Sequence, residues 1–400
     1  MNVLFVAVGS LKSQNGYIVR ISEEAKLVPS EQSFLSMFVP LKEYFDYVRG
    51  VEFPVIDLFS EIFNSIYIFP TVSGLYFHRV KKWHLNRLIV RHCISYIHAE
   101  STASGFILGR SKLQPGFTLD LHGFSEYETI LRSTIKNRSW IHKKLSILRA
   151  KKLDRISISA ANKIIAVSNN MKQHLVEKYN VEHGKISVTP CLASNATIIN
   201  DIHNWESSRQ EVRDDLGISS TTIVFGYLGG LGTYQMVEEM LDFFHAYYTI
   251  NKDSLLLMVV VGDVSQLMDM IENKKMCKMV QIYRDIPHKH VGNYLCATDF
   301  GLLFRRNDPV NYYASPTKFG EYLSCGVSII ASLNIGDLEG HINTNSLGIG
   351  INEDLKVDQD LCVSIEKVMK NRLKVAENNI SWISNHYTWD SDSIDFPVKR

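Results

Sequence analysis

The sequence of 400 residues lacks several features that would assign it to a specialised class of protein. It has no apolar run near the ~18 residues that a membrane-spanning helix needs. Its six cysteines are scattered without a Cys-x-x-Cys pair, and they predict neither a zinc site nor a disulfide framework. Hydrophobic residues make up 45% and charged residues 21%, which excludes a disordered or fibrous chain.

The N-terminus lacks the basic leader and the cleavage site of a signal peptide. Its first apolar run, residues 3–8, has the length of a buried strand instead. Scattered cysteines without a disulfide pattern suit a reducing compartment. We therefore expect a cytoplasmic protein, with peripheral attachment to the inner face of the cytoplasmic membrane as a further expectation.

The net charge of +1 hides an uneven distribution. Residues 1–200 hold 25 Lys and Arg against 15 Asp and Glu, whereas residues 201–400 hold 18 against 27. One half is basic and the other acidic, so the two halves are expected to meet different partners. A basic half could face anionic lipid, nucleic acid or a phosphorylated substrate.

Short apolar runs alternate with longer amphipathic runs along the chain, which is typical of an α/β fold. We divide the chain into a first α/β domain (1–195), a polar linker (196–220), a second α/β domain (221–375) and a terminal helix and tail (376–400). Two such domains predict a cleft, and ligands of parallel sheets bind beyond the carboxyl ends of the strands.

The most informative segment runs from Ala314 to Ile330. A Ser-Pro-Thr turn opens a predicted helix, and the free N–H groups of a helix start attract a phosphate. Lys318 adds a cation in the first turn, which is unfavourable unless an anion lies nearby. Glu321 lies one turn further on the same face, where it could accept hydrogen bonds from ribose hydroxyls. The alternative is an ordinary capped helix with an exposed Lys–Glu pair.

A second motif, Phe225 to Thr233, places glycines between a predicted strand and a helix. Glycine lets backbone approach a phosphate closely, although many such segments are only tight turns. Arg305 and Arg306 follow the strand that ends at Phe304, and an arginine can clamp a phosphate with two parallel hydrogen bonds. A solvated loop is the alternative for this pair.

These motifs resemble those of retaining GT-B glycosyltransferases of the group 1 or family 4 type, of the kind that builds bacterial surface polysaccharides. The block Glu321 to Ile330 is similar to the family's donor signature, with Ser328 where proline is usual. The family often has a first glutamate where this chain has Tyr313. The Arg and Lys that many relatives carry after the glycine loop are replaced by residues 233–235.

A shorter pattern in the first half, Leu119-Asp-Leu-His-Gly123, resembles the family's Asp-x-His-Gly element. A histidine at the carboxyl end of a strand faces the cleft. The resemblance implies that His122 contacts the transferred sugar or steadies charge in the transition state. Asp120 and Glu126 could contact the acceptor. Gly16 could let the backbone approach a phosphate. The alternatives are a structural histidine and loop carboxylates.

The resemblance implies two Rossmann-like domains facing across a cleft, with a C-terminal helix that crosses back to the N-terminal domain. It implies transfer of a sugar from a nucleotide-diphosphate sugar to a glycan or polyprenyl-linked acceptor, with retention, without a metal and with no cofactor besides that co-substrate. The implied catalytic residues are His122, Lys318 and Glu321. The implied donor-binding residues are Gly16, Gly229, Gly230, Gly232, Thr233, Tyr283, Arg305, Ser315, Pro316, Thr317, Lys318 and Glu321.

Segments 78–92 and 132–155 are basic and flanked by aromatic residues, which predicts contact with an anionic membrane surface, a solvated helix face being the alternative. No nucleic-acid module accompanies them, so nucleic acid is not an expected partner. The Asp-x-Asp strings at 358–360 and 390–392 are interpreted as solvated carboxylates.

The functional alternatives are a non-catalytic GT-B partner subunit and a nucleotide-sugar 2-epimerase. An NAD-dependent dehydrogenase is disfavoured, because no Gly-x-Gly-x-x-Gly follows the first strand.

Overall fold

A computed structural model describes residues 1–12, 15–71, 75–135, 139–194, 205–394 and 396. The chain forms two compact units. The first comprises Met1–Pro190, Tyr312–Ser315 and Asp390–Arg400, and the second comprises Cys191–Asn311 and Pro316–Trp389. The predicted fold class, two successive α/β units with parallel sheets, is confirmed.

The first unit contains a seven-stranded parallel sheet in the order β3-β2-β1-β4-β5-β6-β7. Its strands are β1 (Asn2–Val8), β2 (Ser33–Pro40), β3 (Ser65–Thr71), β4 (Ile94–Glu100), β5 (Phe117–Leu121), β6 (Lys163–Ala166) and β7 (Ile186–Val188). Its helices are α1 (Gly16–Lys26), α2 (Leu41–Val48), α3 (Pro54–Ser60), α4 (Leu75–Arg91), α5 (Ser101–Ser111), α6 (Ser125–Ile135), α7 (Trp140–Ala160) and α8 (Asn169–Tyr179).

The strand order of this sheet reverses between β1 and β4. Such a switch point opens a crevice at the carboxyl ends of the strands, where ligands of parallel sheets bind. The buried apolar strands β1 and β2 form the core with α1 and α3 around Phe5 and Phe59. Phe396 of the tail also packs here, with its ring centre 5.8 Å from that of Phe5. The end of the chain therefore returns to the first unit.

The second unit contains a six-stranded parallel sheet in the order β10-β9-β8-β11-β12-β13. Its strands are β8 (Ile223–Gly230), β9 (Ser254–Val261), β10 (Val280–Arg284), β11 (Phe300–Leu303), β12 (Ser328–Ser332) and β13 (Gly348–Ile351). The remaining helices are α9 (Trp205–Asp215), α10 (Val237–Ile250), α11 (Ser265–Asn273), α12 (His288–Cys296), α13 (Pro309–Tyr312), α14 (Thr317–Ser324), α15 (Leu338–Asn345), α16 (Gln359–Lys370) and α17 (Arg372–His386).

This second sheet reverses its order between β8 and β11, so its own crevice lies at the end of the glycine-rich strand β8. A close approach explains two of its glycines. A Cβ on Gly301 would lie 2.5 Å from the Tyr322 ring, and one on Gly226 would lie 2.5 Å from Thr298. Tyr322 of α14 thus lies directly on the sheet, which fixes the start of α14 next to the end of β8.

Helix α9 lies within the region predicted as a linker and packs into the second unit. Trp205 is buried and donates from Nε1 to the carbonyl of Cys325 at 3.0 Å. Arg209 and Arg213 both bind the buried carboxylate of Asp299, which precedes β11. In the part of the chain that the structure describes, no helix combines the length and the hydropathy of a membrane span.

Candidate functional site

Lys318 in the first turn of α14 is buried beside the glycine loop, with 7% of its side chain exposed. Its Nζ donates to Gln235 Oε1 at 2.7 Å and lies 4.2 Å from the centre of the Tyr227 ring. Burial, and then the neighbouring Arg305, lower the pKa of Lys318 well below its ordinary value, while Glu321 opposes this shift. The lysine therefore lies in a site that an incoming anion would stabilise.

The glycine loop is shaped by this lysine. Gly229 has a φ of +125°, and a Cβ there would lie 2.7 Å from Lys318 Cε. A side chain at this position would both strain the backbone and displace the lysine. Gly230 accepts a hydrogen bond from the Tyr227 hydroxyl, and Gly232 lies against the Tyr234 ring. The structure thus brings the two predicted donor motifs together around Lys318.

Arg305 adds a second cation to this crevice. Its backbone N–H donates to Ser332 Oγ at 2.8 Å, and its guanidinium lies 5.0 Å from the centre of the Tyr234 ring. Burial lowers its pKa. The buried Nη1 donates to no group among the residues that the structure describes. A buried donor without a partner is costly, so the site favours an anionic ligand.

The other residues predicted for donor binding divide into two groups. Pro316 immediately precedes α14, Thr317 begins it, and Glu321 acts electrostatically on Lys318. Gly16 is the first residue of α1, and Ser315 belongs to the first unit. Tyr283 lies on the edge strand β10 and packs 4.6 Å from the Tyr294 ring. The side chain of Thr233 lies outside the described residues. The donor-binding roles of all these residues stay predictions.

Arg306 differs from its neighbour Arg305. Its guanidinium is exposed and pairs with Glu239 at 3.0 Å. A surface ion pair of this kind contributes little to stability or binding. Of the two arginines that the sequence offered as phosphate clamps, the structure therefore favours Arg305.

His122 follows β5 in the first unit and is anchored by a buried carboxylate. Its Nε2 lies 2.6 Å from Asp120 Oδ2 and 3.5 Å from Glu100 Oε2. Residues 100 and 120 are register partners on the neighbouring strands β4 and β5. Burial alone would lower the pKa of His122, but Asp120 and then Glu100 raise it to about 10. At neutral pH the ring is an imidazolium, which donates hydrogen bonds from both nitrogens.

Asp120 is shared between His122 and an arginine of α1. Arg20 donates to its two oxygens from Nε at 2.7 Å and from Nη2 at 3.0 Å. Burial opposes ionisation of Asp120, but Arg20 and His122 outweigh it and hold its pKa well below the usual range. The predicted acceptor residue Asp120 is thus fully buried, and it holds His122 and Arg20 in place.

Three further buried residues complete this polar cluster, and they are Glu24 on α1 and His98 and Glu100 on β4. Arg20 Nε lies 2.8 Å from Glu24, whose other oxygen lies 2.8 Å from His98 Nε2. Burial, together with Asp120 and Glu100, raises the pKa of Glu24 well above its ordinary value. Burial lowers the pKa of His98. Arg20 and His122 supply the positive charge that faces the ionised Asp120.

The cluster also has the composition of a metal site. Ligand atoms of Glu24, His98, Glu100 and Asp120 lie within 4.8 Å of one another. Arg20 already places a guanidinium in contact with two of these carboxylates. The cluster carries its own cation, and we assign no metal to it.

Glu126, the other predicted acceptor residue, lies at the start of α6 and is buried. Its carboxylate pairs with Lys178 at 2.8 Å and with Lys151 at 3.3 Å. Its backbone N–H donates to Asp154. These contacts give Glu126 a role in joining α6, α7 and α8, and its contact with an acceptor stays a prediction.

Sequence reasoning missed much of this cluster and part of the lysine's surroundings. The missed residues are Arg20, Glu24, His98, Glu100, Tyr227 and Gln235. One signal was available, because His98 and Glu100 are ionisable residues two positions apart within a predominantly buried strand. Side chains at i and i+2 share one face of a strand, and both are fully buried here.

Comparisons with known proteins agree with this architecture. Residues 58–192 match the family model described as Glycosyltransferase Family 4. The sequence matches none of the curated proteins with which it was compared. Anabaena HepE in complex with UDP is 14% identical with a TM-score of 0.71, covering 97% of this chain and 96% of that one. HepE was also solved with UDP-glucose.

Two other solved structures are similar over nearly the whole chain. Sucrose-phosphate synthase from Thermosynechococcus elongatus is 12% identical with a TM-score of 0.72, covering 98% of this chain and 96% of that one. WaaG, a glycosyltransferase involved in lipopolysaccharide biosynthesis, is 12% identical with a TM-score of 0.65, covering 96% of this chain and 95% of that one. The predicted GT-B fold is confirmed, and the match of residues 58–192 agrees with the resemblance to family 4 glycosyltransferases.

Proposed function

We propose that this chain transfers a sugar from a nucleotide-diphosphate sugar to a glycan or polyprenyl-linked acceptor in bacterial surface polysaccharide synthesis, as in O-antigen or capsule. The observation that carries the proposal is a pair of cations beside the glycine loop, the buried Lys318 and the half-buried Arg305. Lys318 has a lowered pKa, and Arg305 has a buried Nη1 without a partner among the described residues. A diphosphate supplies the anionic oxygens that both groups need.

The proposed chemistry follows from where charge develops. As the bond between the sugar and the diphosphate breaks, negative charge grows on the leaving oxygen. Lys318 and Arg305, fixed before reaction, stabilise that charge, and this is a metal-independent form of electrostatic catalysis. His122 donates from the nitrogen that does not contact Asp120, toward a sugar oxygen. An imidazolium does not act as a base at neutral pH, which favours a front-face, retaining transfer over one that needs a histidine base.

The function is tested with purified protein and a panel of UDP-glucose, UDP-galactose and GDP-mannose. Each donor is offered alone, with oligosaccharides and with polyprenyl-diphosphate-linked sugars. We expect nucleoside diphosphate to be released at least tenfold faster with one acceptor than without, and the product anomer to match the donor by NMR. Epimerised donor without acceptor would identify an epimerase. Donor binding without turnover on any acceptor would favour a partner subunit.

We further propose that α7 attaches the first unit to an anionic membrane surface. Trp140, Ile141, Leu145 and Leu148 are exposed by 70, 59, 47 and 53%, an unusual apolar surface for one helix. The same helix carries six Lys and Arg, and its one carboxylate, Asp154, is buried. Helix α5 packs against both α7 and α4, and α4 exposes Trp83 by 60%. Lys136 and Arg138 of the predicted basic segment lie outside the described residues, as does the His78 side chain.

The membrane proposal predicts that vesicle binding has an electrostatic and an apolar part, which separate sets of substitutions should weaken. Replacing Lys144, Arg149, Lys152 and Arg155 by glutamine should lower binding to phosphatidylglycerol vesicles at least tenfold, because each basic group near such a surface contributes about 1 kcal/mol. Replacing Ile141, Leu145 and Leu148 by serine should lower the binding that remains at high salt. Co-sedimentation at rising salt measures both. Glutamine at Lys356, Lys367, Lys370 and Lys374 of the second unit is the charge-matched control, and equal loss there would contradict the proposal.

A further inference from the structure

The groups that face His122 come from three elements. Asp120 on β5 and Glu100 on β4 both approach Nε2, at 2.6 and 3.5 Å. Tyr17 on α1 places its ring centre 5.3 Å from the imidazole, and its hydroxyl donates to the carbonyl of residue 100. The remaining charged and titratable neighbours are Arg20 and Glu24 on α1 and His98 on β4. His122 is 18% exposed, whereas the carboxylates against it are fully buried.

Glu100 differs from the other carboxylates of this cluster. Neither of its oxygens has a hydrogen-bond partner among the residues that the structure describes. Two histidines lie near its oxygens, with His98 Nε2 at 3.4 Å and His122 Nε2 at 3.5 Å. A fully buried carboxylate without close partners destabilises a fold, and an apolar residue of similar size would be cheaper there. Packing therefore does not explain a glutamate at this position.

His122 is the group on which the charge of Glu100 can act. Asp120 binds Arg20 through both of its oxygens, so Arg20 offsets much of its charge. His98 is kept neutral by burial and offsets none of the charge of Glu100. The charge of Glu100 is consequently available to stabilise the charged form of His122.

We propose that Glu100 is a positioning residue of His122, an inference that rests on the proposed function of that histidine. Glu100 and Asp120 both approach Nε2, and together they hold this nitrogen toward the interior and leave Nδ1 as the donor toward the sugar. Glu100 also keeps the ring doubly protonated. Its role is exerted through His122 and involves no contact with the substrate.

The protein alone tests this inference, without substrate. In protein labelled with 15N-histidine, the His122 signals are assigned by their loss in His122→Asn. We expect both ring nitrogens of His122 to be protonated at pH 8 in the wild type. Glu100→Gln keeps the shape and removes the charge, and it should lower the pKa of His122 by about 1–2 units. Glu100→Asp, which keeps the charge, should lower it less.

The matched control is Asp154→Asn, which removes another buried carboxylate of the same unit. Asp154 accepts from the backbone of Ser125 and Glu126 and should leave the His122 titration unchanged. An unchanged His122 titration in Glu100→Gln would overturn the inference. If that variant does not fold, a singly protonated His122 at pH 8 in the wild type overturns it equally.

Activity separates this inference from the proposed function. With a donor and acceptor that the wild type uses, the fall of the transfer rate at high pH should begin about 1–2 pH units lower in Glu100→Gln. A shifted NMR titration with no transferase activity in the wild type would refute the proposed function and leave the positioning contact intact. If Glu100→Gln loses transfer activity at the same high pH as the wild type and its His122 titration is unshifted, the positioning role alone is refuted.

Discussion

Replacing Lys318 by glutamine is expected to weaken the binding of UDP about 100-fold, or about 2.7 kcal/mol. The lysine is buried against Tyr227 and Gln235, so its contact with a phosphate oxygen would be shielded from water. Glutamine fills similar space but removes one of the two cations that the site offers the phosphate. Isothermal titration calorimetry of UDP and UDP-glucose measures the loss.

The control for this variant is Lys252→Gln in the same unit. Lys252 also lies over a tyrosine ring, 4.6 Å from the centre of Tyr248, but it is exposed. Its replacement should leave the affinity within about twofold, since an exposed cation contributes little. Equal weakening by both variants would show that general charge, rather than the crevice, binds the nucleotide.

The same site makes nucleotide binding depend on pH in a defined direction. Burial and Arg305 lower the pKa of Lys318 in the free protein, and a bound diphosphate favours the charged form and raises it again. Binding therefore takes up a proton wherever the free lysine is partly neutral. Affinity should fall as pH rises through the lowered pKa, and this dependence should disappear in Lys318→Gln. Calorimetry in two buffers of different ionisation enthalpy measures the uptake.

Short-range pattern predicted several of the strands, the glycine loop and the Ser-Pro-Thr-Lys turn, because period, turn residues and helix starts are local properties, but it did not predict β2, β3, β4 or β13. The contact of Lys318 with Gly229 was not predictable, because it joins residues 89 positions apart through a sheet order that brings α14 beside β8. The sequence offered Arg305 and Arg306 as a pair of possible phosphate clamps, and the resemblance placed only Arg305 among the donor-binding residues. The fold distinguishes them, since Arg305 is half-buried with its Nη1 fully buried, whereas Arg306 is exposed and pairs with Glu239.

The cluster around His122 shows the same limit more strongly. Arg20 and Glu24 are one turn apart on α1, a spacing that on its own indicates an ordinary surface ion pair. Both are buried because α1 packs over the ends of β4 and β5, where His98, Glu100 and Asp120 meet them. A sequence pattern reports polarity at these positions but not the strand order that makes them neighbours.

Replacing His122 by asparagine is expected to lower the transfer rate by about 10²–10³-fold while leaving UDP affinity unchanged. Asparagine can still donate a hydrogen bond, but it carries no charge, so the cluster would keep Arg20 and lose the cation that lies against Asp120 and Glu100. Rates at saturating donor, with UDP affinity measured in parallel, separate the two effects. His183→Asn, at an exposed histidine of the same unit, should change neither quantity.

The pH profile shows whether His122 acts as a cation or as a base. Its pKa is raised to about 10, so the charged form persists through neutral pH and is lost as pH rises through that value. A donor role predicts a rate that is flat from about pH 7 to 9 and falls above it, with no such fall in His122→Asn. A base role predicts the opposite slope, because the rate would rise with loss of the proton. A rising rate between pH 8 and 10 in the wild type would therefore exclude the imidazolium mechanism and, with it, the positioning role of Glu100.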